Sequence, residues 1–277
     1  MLRFLLAGLV LCLVSPAYAQ SPREIPSDGY GLHDQRTVGP FTVQRWVRSG
    51  SPEVSPAGMC ECITVVYQGD RQVLSLGAPE QLAALQISDL TGQDINRDGH
   101  PDVIVSDWSG GAHCCFTTTV FSVGTEVKEV LSLGTGHCGP GEFKDLDDDG
   151  VLEFITCDDR WAYTYCTFAD SPFPWVVYAY NALRGDYAAA TPRYAGRFRD
   201  ELASALESAQ TWMSASGGKD TGLDKCRLLP AVLGLMYSGR MEDGLVLIRG
   251  LYRGKDREQF ERETVEMVRQ SPRWVAR

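Results

Sequence analysis

The sequence predicts a mainly β chain of repeated antiparallel units followed by an α-helical region. Three observations carry this. The string Val73-Leu74-Ser75-Leu76-Gly77 recurs verbatim as Val130-Leu131-Ser132-Leu133-Gly134. Two Asp-rich segments, DINRDGHPDVIVSD from Asp94 and DLDDDGVLEFITCD from Asp145, align without a gap at an offset of 51 residues. After Thr191 the apolar residues adopt helical spacing.

The elements follow in order. Residues 1–19 read as an export signal: Arg3 is a short positive start, Phe4 to Val14 is apolar but too short to span a bilayer, and Ala17-Tyr18-Ala19 fits a cleavage site. The mature chain then begins at Gln20. No later segment is apolar enough to cross a membrane. Residues 20–190 form the β region. Its first hairpin pairs Thr64–Tyr67 with the first copy of the repeated string, turning at Gly69-Asp70. The second pairs Thr119–Ser122 with the second copy, turning at Gly124. A third starts at Trp175–Tyr178 and turns near Arg184-Gly185-Asp186, where Gly-Asp is ordinary turn chemistry. Residues 191–277 form the helical region. Thr191-Pro192 starts it, with Tyr194, Phe198, Leu202, Ala205, Leu206 and Ala209 on one stripe. A break falls at Gly217-Gly218, and further helices are expected around 224–237, 241–252 and 256–270. The stretch 228–252 faintly resembles a tetratricopeptide hairpin and suits a cap over a sheet edge.

Charge and cysteine content narrow the function classes. The net charge of −10 becomes −11 once Arg3 leaves with the signal. Such a chain repels phosphate backbones, which excludes nucleic acid as a partner. Nine Cys less Cys12 leave eight, an even number that in an exported chain points to disulfides. No CxxC is present, so zinc is the weaker reading. His113 beside Cys114-Cys115 and His137 beside Cys138 have the composition of a Cys-His pair, but oxidised cysteines would leave no nucleophile.

The Asp-rich segments carry the metal chemistry. Oxygen ligands at alternate positions of a tight loop suit a hard cation, and Gly at the sixth position permits the sharp turn. An EF-hand would place Glu at position 12, where Val105 and Thr156 stand. The acid falls at position 9 instead, and β-type residues follow, so the loop joins strands. This pattern resembles the calcium loop of FG-GAP or VCBS-type repeats, which form blades of integrin-like β-propellers. The resemblance covers about residues 60–190 and implies propeller-like antiparallel β repeats loaded with Ca2+. Carried over by position, the first site would use Asp94, Asn96, Asp98, the His100 carbonyl and Asp102. The second would use Asp145, Asp147, Asp149, the Val151 carbonyl and Glu153. Two or three units are too few to close a ring, so an open stack is expected.

Trp161, Tyr163 and Tyr165 alternate and are expected along one strand face, suited to a sugar ring or to packing. The reading is an exported, calcium-binding recognition or envelope-associated module, periplasmic or secreted, whose partner is an envelope or extracellular protein or a glycan. Two rivals stand beside it. One is a secreted hydrolase of cell-wall or carbohydrate material using Asp107 and Asp158. The other is a purely structural envelope protein.

Overall fold

The computed structural model describes residue 25 and residues 29–50, 60–77, 82–109, 115–216 and 221–276. The export signal, the Gly217-Gly218 break, His113 and Cys114 lie outside the described residues.

Among the described residues, twelve strands form three consecutive four-stranded units, every pairing antiparallel. The first unit is β1 (Tyr30–Val38), β2 (Phe41–Arg48), β3 (Cys60–Gln68) and β4 (Arg71–Leu76). The second is β5 (Leu82–Ile87), β6 (Asp102–Trp108), β7 (Phe116–Val123) and β8 (Val127–Gly136). The third is β9 (Glu142–Lys144), β10 (Glu153–Cys157), β11 (Trp175–Asn181) and β12 (Asp186–Ala189). The start of β3 also pairs with β5, Cys60 against Ala83 and Glu61 against Leu82, so the first two units are edge-joined. The repeated string occupies the last strand of the first unit and of the second.

Strand alternation distributes the apolar residues between cores. Val103 and Val105 of β6, with Phe121 and Val123 of β7, pack against Phe41, Val43 and Val66 of the first unit. The intervening Ile104 and Val120 belong to a second core with Phe154, Val176 and Tyr178 of the third unit. The middle unit therefore contributes both faces to cores shared with its neighbours. The same rule governs β11. Val176 and Tyr178 enter the large core, while Val177 and Ala179 pack on the opposite face with Leu146 and Tyr194.

The helices are α1 (Thr191–Tyr194), α2 (Arg199–Ala215), α3 (Asp224–Tyr237), α4 (Met241–Leu251) and α5 (Arg257–Arg269). Leu228, Leu229, Val232, Leu233 and Met236 bury α3 on several sides, so it is the central helix. Ala209, Met213, Leu245, Ile248, Phe260 and Val268 from the other helices join the same core. The helices thus cover the face of an inner strand, β11, and the expectation of a cap over a sheet edge is corrected. An apolar stripe needs area, and a sheet face offers more than an edge.

The aromatic strip is a second correction. Residues 158–174 are an irregular excursion between β10 and β11 and contain no strand. Asp158 caps a single 3-10 turn at Asp159–Trp161. Trp161 is buried, and its indole N–H donates to the Tyr237 hydroxyl at 3.3 Å. Tyr163 points to solvent, and the Tyr165 hydroxyl donates to Glu263 at 2.8 Å. Alternation in sequence is uninformative once a cap has turned the chain.

Disulfides join Cys60 to Cys62, Cys138 to Cys157 and Cys166 to Cys226, and Cys115 is also disulfide-bonded. The Cys166–Cys226 bond ties the excursion to α3. Cys138 is therefore oxidised, and its neighbour His137 instead lies 3.1 Å from Asp159. No helix among the described residues is long and apolar enough to cross a membrane.

Candidate metal loops

The two Asp-rich loops fold alike, position for position. Asp94 accepts the backbone N–H groups of Asp98 and Gly99 at 3.1 and 3.0 Å. Asp145 accepts those of Asp149 and Gly150 at 3.2 and 2.8 Å. Asp98 accepts from the His100 N–H at 2.9 Å, and Asp149 from Val151 at 2.8 Å. Asp102 accepts from Ile95 at 2.9 Å, and Glu153 from Leu146 at 2.8 Å. Arg97 and Asp148 share a left-handed backbone, with φ of 54° and 62°, and Gly99 and Gly150 share φ of 92° and 81°. Each of these pairs is separated by the 51-residue offset read from the sequence.

In the second loop, one carboxylate oxygen from each of Asp145, Asp147 and Asp149 lies within 4.8 Å of the others. In the first loop, Asn96 takes the place of Asp147. Its Oδ1 accepts the Asp98 N–H at 2.9 Å, and the side chain is buried. Asp98 also accepts from the Ser122 hydroxyl on β7 at 2.7 Å. The His100 ring packs against Gly124. All ten residues read from the sequence therefore lie in these two corners.

The ninth-position acids sit deepest. Asp102 is 0% exposed and Glu153 1%. Burial pushes the Asp102 carboxyl up to about 7 against the pull of its Ile95 hydrogen bond, and the nearby charges of Asp98 and Asp94 push the same way. Burial also raises Glu153, opposed by its bonds to Leu146 and Tyr194. The two differ in one respect. Glu153 Oε1 accepts the Tyr194 hydroxyl at 3.0 Å, whereas Asp102 Oδ1 is buried with no hydrogen-bond partner. An orphaned buried carboxylate oxygen in a cluster of acids fits a hard cation.

The loops also touch each other. The Leu152 N–H donates to the Ile95 carbonyl at 2.8 Å. The Arg97 guanidinium lies over Gly150, where a Cβ would collide with it.

The helical region supplies partners that the sequence reading missed. Arg193 pairs with Asp147 at 2.5 Å, and Arg197 lies 3.4 Å from Asp148. Tyr194 binds Glu153. One signal was present. Two arginines in the opening turns of a helical region oppose the usual preference for acids there, which suggests that they serve something else.

Asp107 and Asp158, the acids of the hydrolase reading, have different surroundings. Asp158 is buried, accepts from Tyr237 at 2.6 Å and from Ser271, and lies 3.5 Å from Arg160. Asp107 has a buried Oδ1 without a hydrogen-bond partner, and burial raises its carboxyl.

Among curated proteins, the chain is 32% identical over 105 residues to a probable thylakoid lumen protein of Synechocystis, covering 37% of this chain and 30% of that protein. It is 30% identical over 90 residues to an uncharacterized protein of Sinorhizobium fredii, covering 31% of this chain and 13% of that one. The chain thus spans less than a third of either relative. No protein-family model and no solved structure matches it.

Proposed function

We propose that this chain is an exported calcium-binding β-repeat protein that acts as a recognition or envelope-associated module. The observation that carries the metal is the duplicated loop: four acid-to-backbone hydrogen bonds of the first loop recur at one offset in the second, where Asp145, Asp147 and Asp149 bring their carboxylate oxygens together. Asp94, Asn96, Asp98 and Asp102 would hold one ion, and Asp145, Asp147, Asp149 and Glu153 the other, with the His100 and Val151 carbonyls completing each set. A bound ion would neutralise closely spaced like charges and fix each corner.

Three four-stranded antiparallel units in series, sharing face-to-face cores, support the likeness to FG-GAP or VCBS blades in an open, propeller-like stack. Export is supported by the N-terminal signal pattern, by the disulfides and by the lumenal name of one relative. The hydrolase reading gains nothing from Asp158, whose donors already bind it to the helices.

Calorimetric titration of the chelator-treated protein tests the proposal. Two calcium sites are expected, with magnesium far weaker because it demands stricter geometry. Asp145→Ala should remove one site and Asp94→Ala the other. A protein that neither takes up calcium nor melts differently with it sinks the reading.

A further inference from the structure

We propose that the Cys60–Cys62 disulfide is a thiol-exchange centre, opened by a low-molecular-weight thiol and assisted by Arg45. As a staple it has little to do. Its ring encloses only Glu61, with a sequence separation of 2, whereas Cys138–Cys157 and Cys166–Cys226 have separations of 19 and 60. The chain entropy that a cross-link removes grows with the loop it closes, so this bond constrains the unfolded chain least.

Its placement also differs. Both cysteines stand on one face of β3, where the strand changes partner. Thr64–Gln68 pair with β4, while Cys60 and Glu61 pair with β5. The bond holds the two Cα atoms 5.2 Å apart. An extended strand would set residues two apart at about 6.6 Å. Opening the bond therefore lets β3 lengthen at the joint between the first and second units.

Arg45 supplies the chemistry. It lies opposite Thr64 on β2, and its Nη2 is 2.7 Å from Cys60 Sγ and 3.6 Å from Cys62 Sγ. A fixed guanidinium beside a sulfur stabilises the thiolate and so improves it as a leaving group. Access comes from one side. Arg45 and Thr64 line a pocket of about 350 Å³, together with Asp34, Arg36 and Gln86. The cysteines themselves are 6% and 1% exposed, which shuts out protein thiols; Arg45, which touches both sulfurs, is the residue that also lines this pocket.

The step balances. An external thiolate attacks one sulfur, the S–S bond breaks, and a mixed disulfide forms. The other cysteine leaves with the electron pair as a thiolate beside Arg45. A second external thiolate then attacks the external sulfur of the mixed disulfide and releases the first cysteine. Two small thiols become one small disulfide, and the protein pair gains two electrons and the protons the thiols give up.

The test holds folded full-length protein in graded mixtures of reduced and oxidised glutathione. Samples are acid-quenched, alkylated and peptide-mapped by mass spectrometry. Cys60 and Cys62 should be labelled at ratios that leave Cys138–Cys157 and Cys166–Cys226 closed. Arg45→Met should demand a ratio about tenfold more reducing, and Arg45→Lys should restore most of the wild-type behaviour. Opening of Cys60–Cys62 only together with the other two would overturn the proposal, and this wild-type measurement decides even if Arg45→Met does not fold. Unchanged opening in a folded Arg45→Met protein would overturn it as well.

Discussion

Replacing Asp102 by asparagine should stabilise the metal-free protein at high pH and weaken the calcium-loaded one. The carboxyl is fully buried, titrates near 7 in the fold and has an ordinary value of 3.8. An acid that holds its proton more tightly folded than unfolded weakens the fold as pH rises from 3.8 through 7. By pH 8 that penalty is complete and amounts to at most about 4 kcal/mol. The amide keeps an oxygen for the Ile95 N–H but leaves a new N–H group where Oδ1 lacks a partner, a cost of about 1–3 kcal/mol. The net gain at pH 8 is roughly 1–3 kcal/mol, with each kcal/mol worth about 2–4 °C in Tm. Near pH 4.5 the gain vanishes, because Asp102 is then largely protonated in the fold. Thermal melts in chelator at the two pH values measure this directly. On the proposed calcium reading, the variant in calcium should gain less stabilisation from the metal than the wild type. A Tm that falls by the same amount at both pH values in chelator would refute the argument from a buried, unpartnered carboxylate.

Other expectations follow from the same geometry. Asp158→Ala strips a buried acceptor from Tyr237, Ser271 and Arg160 and should cost about 3–5 kcal/mol in urea unfolding, with no change in calcium stoichiometry. Asn96→Ala should lower the chelated Tm more than Asp147→Ala, because Asn96 is buried against the Asp98 N–H while Asp147 is exposed; in calcium Asp147→Ala should show the larger drop in affinity. Gly150→Ala must place a side chain at φ of 81° against the Arg97 guanidinium, and it should destabilise by about 1–3 kcal/mol. A thiol titration of the denatured, unreduced mature protein should read near zero.

What could be read from the sequence was what repeats or has a strong period. The hairpins at Gly69-Asp70 and Gly124 form as expected, as does the one at Arg184-Gly185-Asp186, where Gly185 takes φ of 69°. The expected helix at 224–237 is α3 itself, since an almost wholly apolar run of that length has one plausible packing. The two Asp-rich loops fold alike at the offset read from the sequence, and Asp145, Asp147 and Asp149 come together in the second. The β1–β2 hairpin was missed, because β1 is largely exposed and its sequence, YGLHDQRTV, lacks an apolar alternation. The aromatic excursion was misread because a local cap at Asp158 overrides alternation. The contacts of Arg193 and Tyr194 with the second loop could not be read at all, since they depend on how the helical region returns across β11.

The opening turns of the helical region, on the far face of β11, give the series a direction. Both junctions bury a face of one unit against the next, the first with a strand pairing between β3 and β5 as well, and one more unit of the same kind could reproduce such an interface. After Ala189 that freedom ends, because Tyr194 and Phe198 pack on Val177 and Ala179, the face of β11 turned away from the middle unit, which a fourth unit would need. Tandem duplication is therefore compatible with packing only upstream of β12, in increments near the 51-residue offset, with the helical segment carried along behind the last unit. A lineage built on this plan would vary in unit number while its helical segment stayed constant.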